Sequence, residues 1–201
     1  MAVYREPISK KCKSLGISPA VLGYTHKKES RRKFGAGSSR RKVSEYGLQM
    51  KEKQKLKFIY GVLEKQFYRY YELAKREEGI TGENLLAMLE TRLDNVVYRM
   101  NMALTRREAR QLVGHGHFTV NGKRVDIPSY RVKPGDVVAL HERSKKSVKF
   151  EQIVELTHGR PAPQWLEINR EARAATVARK PQREELDFEI QENLVIELYS
   201  K

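Results

Sequence analysis

The chain has 201 residues and a formal net charge of +15, with 39% hydrophobic and 32% charged residues. That length allows one or two domains with a core, and no apolar run approaches the roughly 20 residues needed to cross a bilayer. The basic excess favours a polyanionic partner, and nucleic acid is preferred to a membrane surface. The N-terminal sequence MAVYREPISKKCK lacks the apolar middle of a secretory signal, and Cys12 is the only cysteine. We therefore expect a protein of the reducing cytoplasm.

Residues 1–44 are assigned as a basic N-terminal arm. Residues 1–45 contain 12 lysines and arginines against three acidic residues, and the stretch 27–42 reads KKESRRKFGAGSSRRK. This pattern allows two interpretations, a disordered basic tail or an arm that becomes ordered on RNA. The structural status of the arm stays open at this point.

Residues 45–77 give the clearest helical pattern of the chain. Apolar residues recur every three or four positions, as one helix face requires, at Leu56, Ile59, Tyr60, Leu63, Phe67, Tyr70 and Ala74. We expect the many aromatic residues of this helix to belong mostly to the core. Glu77, Glu78 and Gly79 mark its predicted end, and Lys51, Lys53 and Lys55 near its start are candidate RNA contacts.

A second helical region is predicted to open at Thr81 and to run through residues 85–98. Thr105 and Glu108 then form a capping box, in which the hydroxyl accepts the Glu108 amide and the carboxylate accepts the Thr105 amide. The helix that begins there is expected to end near Gly114.

The following elements are predicted to be mostly short strands. Asn121-Gly122 suits a type I′ turn and predicts a hairpin between residues 118–120 and 123–125. Residues 137–140 predict a further strand, and residues 148–156 predict a helix. Prolines at 161 and 163 interrupt the chain, and the alternating residues 194–199 predict a last strand.

Residues 104–134 are the most informative stretch for function. On a helical wheel, Arg106, Arg107, Arg110 and Gln111 cover an arc of about 140°. Guanidinium groups crowded in this way are typical of a phosphate-binding face, because their planar fork matches phosphate oxygens. A solvated charged helix is the alternative. The candidate RNA-binding residues of this region are Arg92, Arg106, Arg107, Arg110, Gln111, His115, His117, Asn121, Lys123, Arg124, Ser129, Tyr130 and Arg131.

The same residues allow two other chemistries. His115-Gly-His117 could suggest a metal site, but structural zinc usually takes four ligands, often including cysteines, and Cys12 is far away in sequence. Arg92-Leu-Asp94 is similar to the catalytic Arg-Leu-Asp of pseudouridine synthases, but the threonine and glycine of that motif do not follow. We expect Asp94 to pair with a neighbouring arginine within its helix, and we expect no catalytic residue, metal or cofactor.

Residues 104–134 resemble the small RNA-binding module shared by several RNA enzymes and by the S-four family of small-subunit ribosomal proteins. The flanking segments are similar to the bacterial form of that family in the right order, at 44–47, 52–55, 59–67, 81–86, 92–100, 165–167, 179–181 and 192–201. The resemblance covers about residues 43–201. The four zinc-binding cysteines of some members are absent.

The resemblance implies a protein without enzymatic activity that binds 16S ribosomal RNA early in assembly, at the five-way junction of the 5′ domain. It also implies contact with ribosomal protein S-five, with an effect on decoding accuracy. Arg40, Arg41 and Lys42 fall where the family has a basic cluster that lines the channel through which mRNA enters. Some members repress their own operon by binding its mRNA.

The expected fold is a mainly helical α+β protein. Residues 45–91 would form a helical domain, residues 92–155 an inserted module of two to three helices on a small twisted antiparallel sheet, and residues 156–201 a tail that returns to the helical domain. Two other functions remain open, an RNA-modifying enzyme of the pseudouridine synthase type and a free-standing RNA chaperone or stalled-ribosome factor that uses the same module.

Overall fold

A computed structural model describes residues 7–24 and 44–200 of the chain. The helices of these residues are α1 (Ile8–Leu15), α2 (Glu45–Tyr60), α3 (Glu64–Arg76), α4 (Thr81–Glu90), α5 (Leu93–Arg99), α6 (Arg106–Gly114), α7 (Glu142–Lys145), α8 (Val148–Thr157) and α9 (Glu192–Ser200). The strands are β1 (Phe118–Val120), β2 (Lys123–Arg124), β3 (Val137–Leu140), β4 (Leu166–Asn169) and β5 (Ala174–Val177). The predicted mainly helical α+β class is confirmed. None of the described helices is long and apolar enough to span a membrane.

The chain divides into two compact units. Unit 1 comprises the described residues up to Leu85 together with those from Leu186 onwards, and unit 2 comprises Leu86–Glu185. The predicted tail, residues 156–201, is thus divided between the two units. Residues 156–185 stay in unit 2 because β4 and β5 belong to its sheet.

In unit 1 the continuous helix predicted for residues 45–77 is wrong, because the chain leaves helical geometry at Gly61. Gly61 has a φ of +59°, and its N–H and that of Val62 donate back to the carbonyls of Phe58 and Lys57. This left-handed glycine closes α2, and α3 begins three residues later. The expectation that the aromatic residues are mostly core is confirmed for Tyr60, Phe67, Tyr70 and Tyr71, whereas Tyr68 is 45% exposed.

The strand predicted for residues 194–199 is also wrong, because these residues form helix α9, which packs along α2. Val195 is fully buried, and the ring of Tyr199 lies 4.9 Å from that of Tyr71. Gln49 of α2 donates to Glu197 at 3.1 Å. A short run of consecutive apolar residues is compatible with either periodicity, and packing against α2 selects the helix.

Unit 2 is built on an antiparallel sheet with the strand order β2-β1-β3-β5-β4. The predicted hairpin is confirmed, since Val120 pairs with Lys123 and both turn residues, Asn121 and Gly122, have positive φ angles of 50° and 77°. The predicted strand at 137–140 and helix at 148–156 are confirmed as β3 and α8. The core lies between the sheet and the helices, and Phe118, Phe150 and Trp165 are its largest fully buried side chains.

The helical region predicted over residues 85–98 consists of two helices, α4 and α5. Arg92 between them is extended, with φ −65° and ψ 138°, and its backbone bridges to Arg131. The loop that contains Arg131 lies against the start of α5, because the Leu93 and Asp94 amides donate to the carbonyls of Tyr130 and Pro128. This loop therefore supplies acceptors for the first amides of α5, which no helical carbonyl can reach.

Candidate nucleic-acid interface

Helix α6 begins as the sequence predicts, at Thr105. The hydroxyl of Thr105 accepts the Glu108 amide at 3.1 Å. The carboxylate of Glu108, however, accepts the amide of Leu104 at 2.9 Å, one residue before the predicted donor. The predicted capping box is therefore confirmed in its first bond and corrected in its second, and it still fixes the direction of α6.

The prediction that all three arginines of α6 share one open surface is wrong. Arg106 is only 7% exposed, its Nε donates to Oδ1 of Asn95 at 3.0 Å, and its guanidinium lies 4.4 Å from the ring centre of Tyr98. Asn95 in turn donates to the carboxylate of Glu90 at 2.8 Å. Arg106 therefore ties α6 to α5 from the inside.

Arg92 and Arg110 both bind Asp94. The side chain of Asp94 is 6% exposed, and Arg92 holds both its oxygens at 3.0 and 2.8 Å. Nε and Nη2 of Arg110 lie 2.9 and 2.7 Å from Oδ2 of the same carboxylate. The expected pairing within one helix is corrected, because one partner precedes α5 and the other lies on α6. Arg92 is 2% exposed, whereas the Arg110 side chain remains 30% exposed.

The exposed candidates of unit 2 lie on α6, on the hairpin and on the loop that follows it. They are Arg107, Gln111, His115, Asn121, Lys123, Arg124, Ser129, Tyr130 and Arg131. The backbone bonds from Leu93 and Asp94 bring the Ser129–Arg131 stretch next to the Asp94 carboxylate that holds Arg110. We call the exposed residues Arg107, Gln111, Tyr130 and Arg131, together with the partly exposed Arg110, the α6 face. Because Asp94 is the point that α6 and this loop share, it sets their relative position.

Asn121 at the hairpin tip is exposed, but both ends of its amide have partners in the fold. Its Nδ2 donates to Asp136 at 2.8 Å, and its Oδ1 accepts the Val137 amide at 2.9 Å. Asp136 also accepts the Lys133 amide at 2.7 Å. The amide of Asn121 therefore joins the hairpin to the start of β3.

His117 is half-buried beneath the exposed His115. Its Nδ1 lies 2.9 Å from the hydroxyl of Ser144, and its ring stands edge-on to Phe150 at 5.5 Å. Burial lowers the pKa of His117, and the positive charges of neighbours that include His115 and Lys149 lower it further. Within residues 7–24 and 44–200, no group of three or more histidine, cysteine, aspartate or glutamate side chains could hold a metal ion.

The remaining candidates lie outside unit 2. Lys53 of unit 1 is 9% exposed at its side chain and is paired with Glu64 at 2.9 Å, and Lys55 is paired with Glu52. Lys51 is half-buried. Arg40, Arg41 and Lys42 lie outside the described residues.

Sequence reasoning missed the residues that hold the candidate surface together. Asn95 and Glu90 carry no functional pattern in the sequence, yet they bind Arg106 and Arg99 inside the fold. His141 and Lys149 were also missed. The register of β1 and β3 would have placed His141 beside His117. His117 precedes β1 and His141 follows β3, and in an antiparallel pair such residues lie opposite each other.

Comparison with known proteins agrees with this organisation. A family model described as the S4 domain matches residues 91–138, and one described as the ribosomal protein S4/S9 N-terminal domain matches residues 3–90. The small ribosomal subunit protein uS4 of Lachnospira eligens is 54% identical over 201 residues, which cover 100% of both chains. The protein of the same name from Clostridioides difficile is 52% identical over 208 residues, again with 100% of both chains covered. That of Acetivibrio thermocellus is 61% identical over 165 residues, or 82% of this chain and 79% of the relative. Identity at this level along the whole length shows that the chain belongs to the family of small ribosomal subunit protein uS4.

Proposed function

We propose that this protein is a structural component of the small ribosomal subunit in the cytoplasm and binds 16S ribosomal RNA through the α6 face of unit 2. The observation that carries the proposal is the anchored arrangement of Arg110. Asp94 fixes the Nε and Nη2 side of its guanidinium, while 30% of the side chain stays exposed. A cation held in this way loses little conformational freedom when a phosphate arrives.

The chemistry of the face suits the backbone of folded RNA better than any base edge. Arg107 and Arg131 are exposed and supply planar donors for phosphate oxygens. Tyr130, 38% exposed on the same loop, offers a ring on which an unpaired base can stack. Affinity would come from phosphate neutralisation, and specificity from the shape of the RNA that fits α6 and the loop together.

The resemblance to the family supports a more specific role in assembly of the small ribosomal subunit. We propose that the chain binds the five-way junction of the 5′ domain before other proteins and nucleates assembly of the subunit. Ribosomal protein S-five is the proposed protein partner, with an effect on decoding accuracy. Arg40, Arg41 and Lys42 are proposed to line the channel through which mRNA enters, and the chain's own operon mRNA is a further candidate ligand. Lys51 and Lys55 of unit 1 are proposed as additional RNA contacts, whereas Lys53 is buried and paired with Glu64.

We also propose that the protein is not an enzyme. The residue that suggested a pseudouridine synthase, Asp94, has a side chain only 6% exposed, and both its oxygens are held by arginines. A catalytic aspartate must reach its substrate, and this one would first have to break two ion pairs. Asp94 is better suited to the role of an anchor for Arg110.

Fluorescence titration of 5′ domain RNA with the full chain, in the absence of other ribosomal proteins, tests the proposal. Arg107→Ala should weaken binding by about 1–3 kcal/mol, because a charge-assisted contact is lost. The salt dependence should become shallower by about one unit of slope for each phosphate contact removed. Arg170→Ala is the matched control, because Arg170 is an exposed arginine of unit 2 that lies in the turn between β4 and β5, outside the α6 face.

The control should keep the affinity and the salt slope of the unmodified chain. If Arg107→Ala behaved like Arg170→Ala in both respects, the α6 face would be removed from the interface. If the unmodified chain failed to protect the 5′ domain in a footprinting experiment, the proposed RNA target itself would be wrong.

A further inference from the structure

One end of the unit 2 sheet brings three histidines together. Phe118 of β1 pairs with Leu140 of β3, so the preceding His117 and the following His141 lie opposite each other. The His141 amide donates to the His117 carbonyl at 2.8 Å, which extends the ladder by one bond. The ring centre of His115 lies 6.1 Å from that of His117. The fold thus concentrates three of the five histidines of the chain at this end of the sheet.

Arg124 of β2 completes the group. Its Nη2 donates to the His115 carbonyl at 3.1 Å, and its guanidinium lies against Gly116. A Cβ atom at position 116 would come within 2.2 Å of Nε of Arg124, and Gly116 has a φ of +71°. Glycine at this position therefore lets Arg124 lie over the turn between His115 and His117.

Hydrogen bonds of the fold orient two of the rings. Nδ1 of His117 lies against the hydroxyl of Ser144, which is itself 9% exposed. Nδ1 of His141 accepts the Arg143 amide at 3.2 Å, so the proton of its neutral form resides on Nε2. In both rings Nδ1 contacts a group of the protein, and Nε2 is the nitrogen that can donate to a ligand.

The charges that face His117 come from every neighbouring element. His115 follows α6, Arg124 is on β2, His141 follows β3 and Lys149 is on α8, and all four lower the pKa of His117 in addition to the effect of burial. Two acidic side chains of neighbouring elements have partners, since Glu108 of α6 is 3.3 Å from Lys149 and Glu142 of α7 is 2.6 Å from Lys145. The three exposed residues Arg143, Lys146 and Lys149 add positive charge on α7, after it and on α8. Positive charge at this end of the sheet therefore disfavours protonation of His117 while no anion is bound.

We propose that His115, His117 and His141, with Arg124, form a phosphate-binding site for RNA that takes up a proton as the phosphate binds. An arriving phosphate supplies the negative charge that makes an imidazolium favourable at this place, and the imidazolium then donates to the phosphate oxygens. The proposal rests on the proposed function and adds to the α6 face a second contact whose strength depends on pH. Affinity for RNA increases as the pH falls, because protonation and phosphate binding assist each other.

Calorimetric titration of 5′ domain RNA with the full chain, in buffers that differ in ionisation enthalpy, measures the proton uptake. We expect uptake of about one proton near neutral pH, and a roughly tenfold loss of affinity per pH unit in the range where that uptake is complete. The triple variant His115→Gln/His117→Gln/His141→Gln should lose most of the uptake and of the pH dependence. His158→Gln, which changes an exposed histidine after α8, should keep both. Because every chain meets the same RNA, protonation of the RNA itself cancels in the comparison.

Outcomes that contradict this inference differ from those that contradict the proposed function. If the triple variant keeps its melting temperature and also the uptake of the unmodified chain, the histidine site is wrong while RNA binding stands. If the chain binds no 5′ domain RNA at any pH, the proposed function fails, and pyrophosphate then tests the site by itself. Saturating pyrophosphate should raise the NMR titration midpoints of the histidine ring protons in the unmodified chain but not that of His158. Unchanged midpoints would overturn the site.

Discussion

The two units use paired charges in different ways. In unit 2, Glu90 and Arg99 form a bidentate pair whose side chains are 2% and 10% exposed. In unit 1, Glu64 accepts from Lys53, Lys57 and Tyr199, but its side chain is 47% exposed. Water can replace the partners of the half-exposed Glu64, whereas Glu90 and Arg99 are largely excluded from water. Loss of one partner from the Glu90 network should therefore destabilise unit 2 strongly. Loss of one partner from the Glu64 network should only weaken the attachment of α9.

This difference bears on the proposed interface. The buried network runs from Glu90 through Asn95 to Arg106, which is the first residue of α6. The helix that would meet RNA is thus attached to the core by charge rather than by apolar packing alone. We infer that unit 2 separates its arginines into those that position α6 and those that meet the ligand.

Removal of the charge of Glu90 should have the largest effect on stability. Glu90→Gln removes the buried carboxylate charge that accepts two bonds from the guanidinium of Arg99. We therefore expect a loss of about 3–5 kcal/mol in the free energy of unfolding. Urea titration followed by the fluorescence of Trp165 measures it, because this residue is the only tryptophan and is buried in unit 2. Glu155→Gln, an exposed change on α8, is the control and should stay within about 0.5 kcal/mol. Equal midpoints for the two variants would show that the buried pair adds nothing to stability.

The neighbouring residues Arg106 and Arg107 of α6 should differ in their contribution to stability, by a smaller amount than the loss expected for Glu90→Gln. Arg106→Met leaves Oδ1 of Asn95 buried without its donor and removes the contact with the Tyr98 ring, so we expect a loss of about 2 kcal/mol. Arg107→Met, on the exposed side of the same helix, should change stability by less than about 0.5 kcal/mol.

Under conditions where both variants are folded, the order should reverse for RNA affinity, which Arg107→Met lowers more. Trp165 fluorescence and RNA titration on the same preparations provide the two measurements. A larger loss of affinity in Arg106→Met would mean that the buried arginine has a direct role at the ligand.

Much of the fold could be predicted from local patterns because local chemistry determines it. The Asn121-Gly122 turn, the Thr105 cap and the 137–140 strand each depend on residues within a few positions of one another. The break at Gly61 could not be predicted in the same way, because the apolar spacing continues through it from Ile59 to Leu63. A glycine within such a pattern is compatible with a helix and with its end, and only the structure shows that Gly61 adopts the left-handed conformation that ends α2.

The sequence predicted which residue types form the candidate site, but it did not predict which of those residues are exposed. Arg106 and Arg107 are adjacent and chemically identical, yet one is buried and the other exposed, because only Arg106 is on the side of α6 that meets Asn95 and Tyr98. A helical wheel gives the order of side chains around the helix axis. It does not identify the side that faces the core when that core contains polar residues. Arg92 shows the same limit, since its partner Asp94 makes it a buried residue.

The smallest effect on stability is expected for the partly exposed Glu64 network of unit 1. The dependence of this effect on pH distinguishes it from the other contributions to stability. Burial by itself would raise the pKa of Glu64, but hydrogen bonds from Lys57, Tyr199 and Lys53 and the charge of Lys57 lower it to about 2. Burial and the bond to Glu64 raise the pKa of Tyr199. A carboxyl whose pKa is lowered on folding stabilises the fold above its unfolded value of 4.5, and this contribution is lost as the pH falls toward 2.

Glu64→Gln should therefore destabilise unit 1 by less than about 1 kcal/mol near neutral pH, since an exposed pair is screened by solvent. The difference from the unmodified chain should shrink steadily below about pH 4.5. Amide hydrogen exchange in α9 detects it, because Tyr199 of this helix donates to Glu64 at 2.6 Å. Glu72→Gln, an exposed change on the same helix α3, should leave α9 exchange unaltered at every pH. A difference for Glu64→Gln that persisted undiminished at the lowest pH would mean that shape and not charge holds α9, and the contrast between the two networks would then be one of packing.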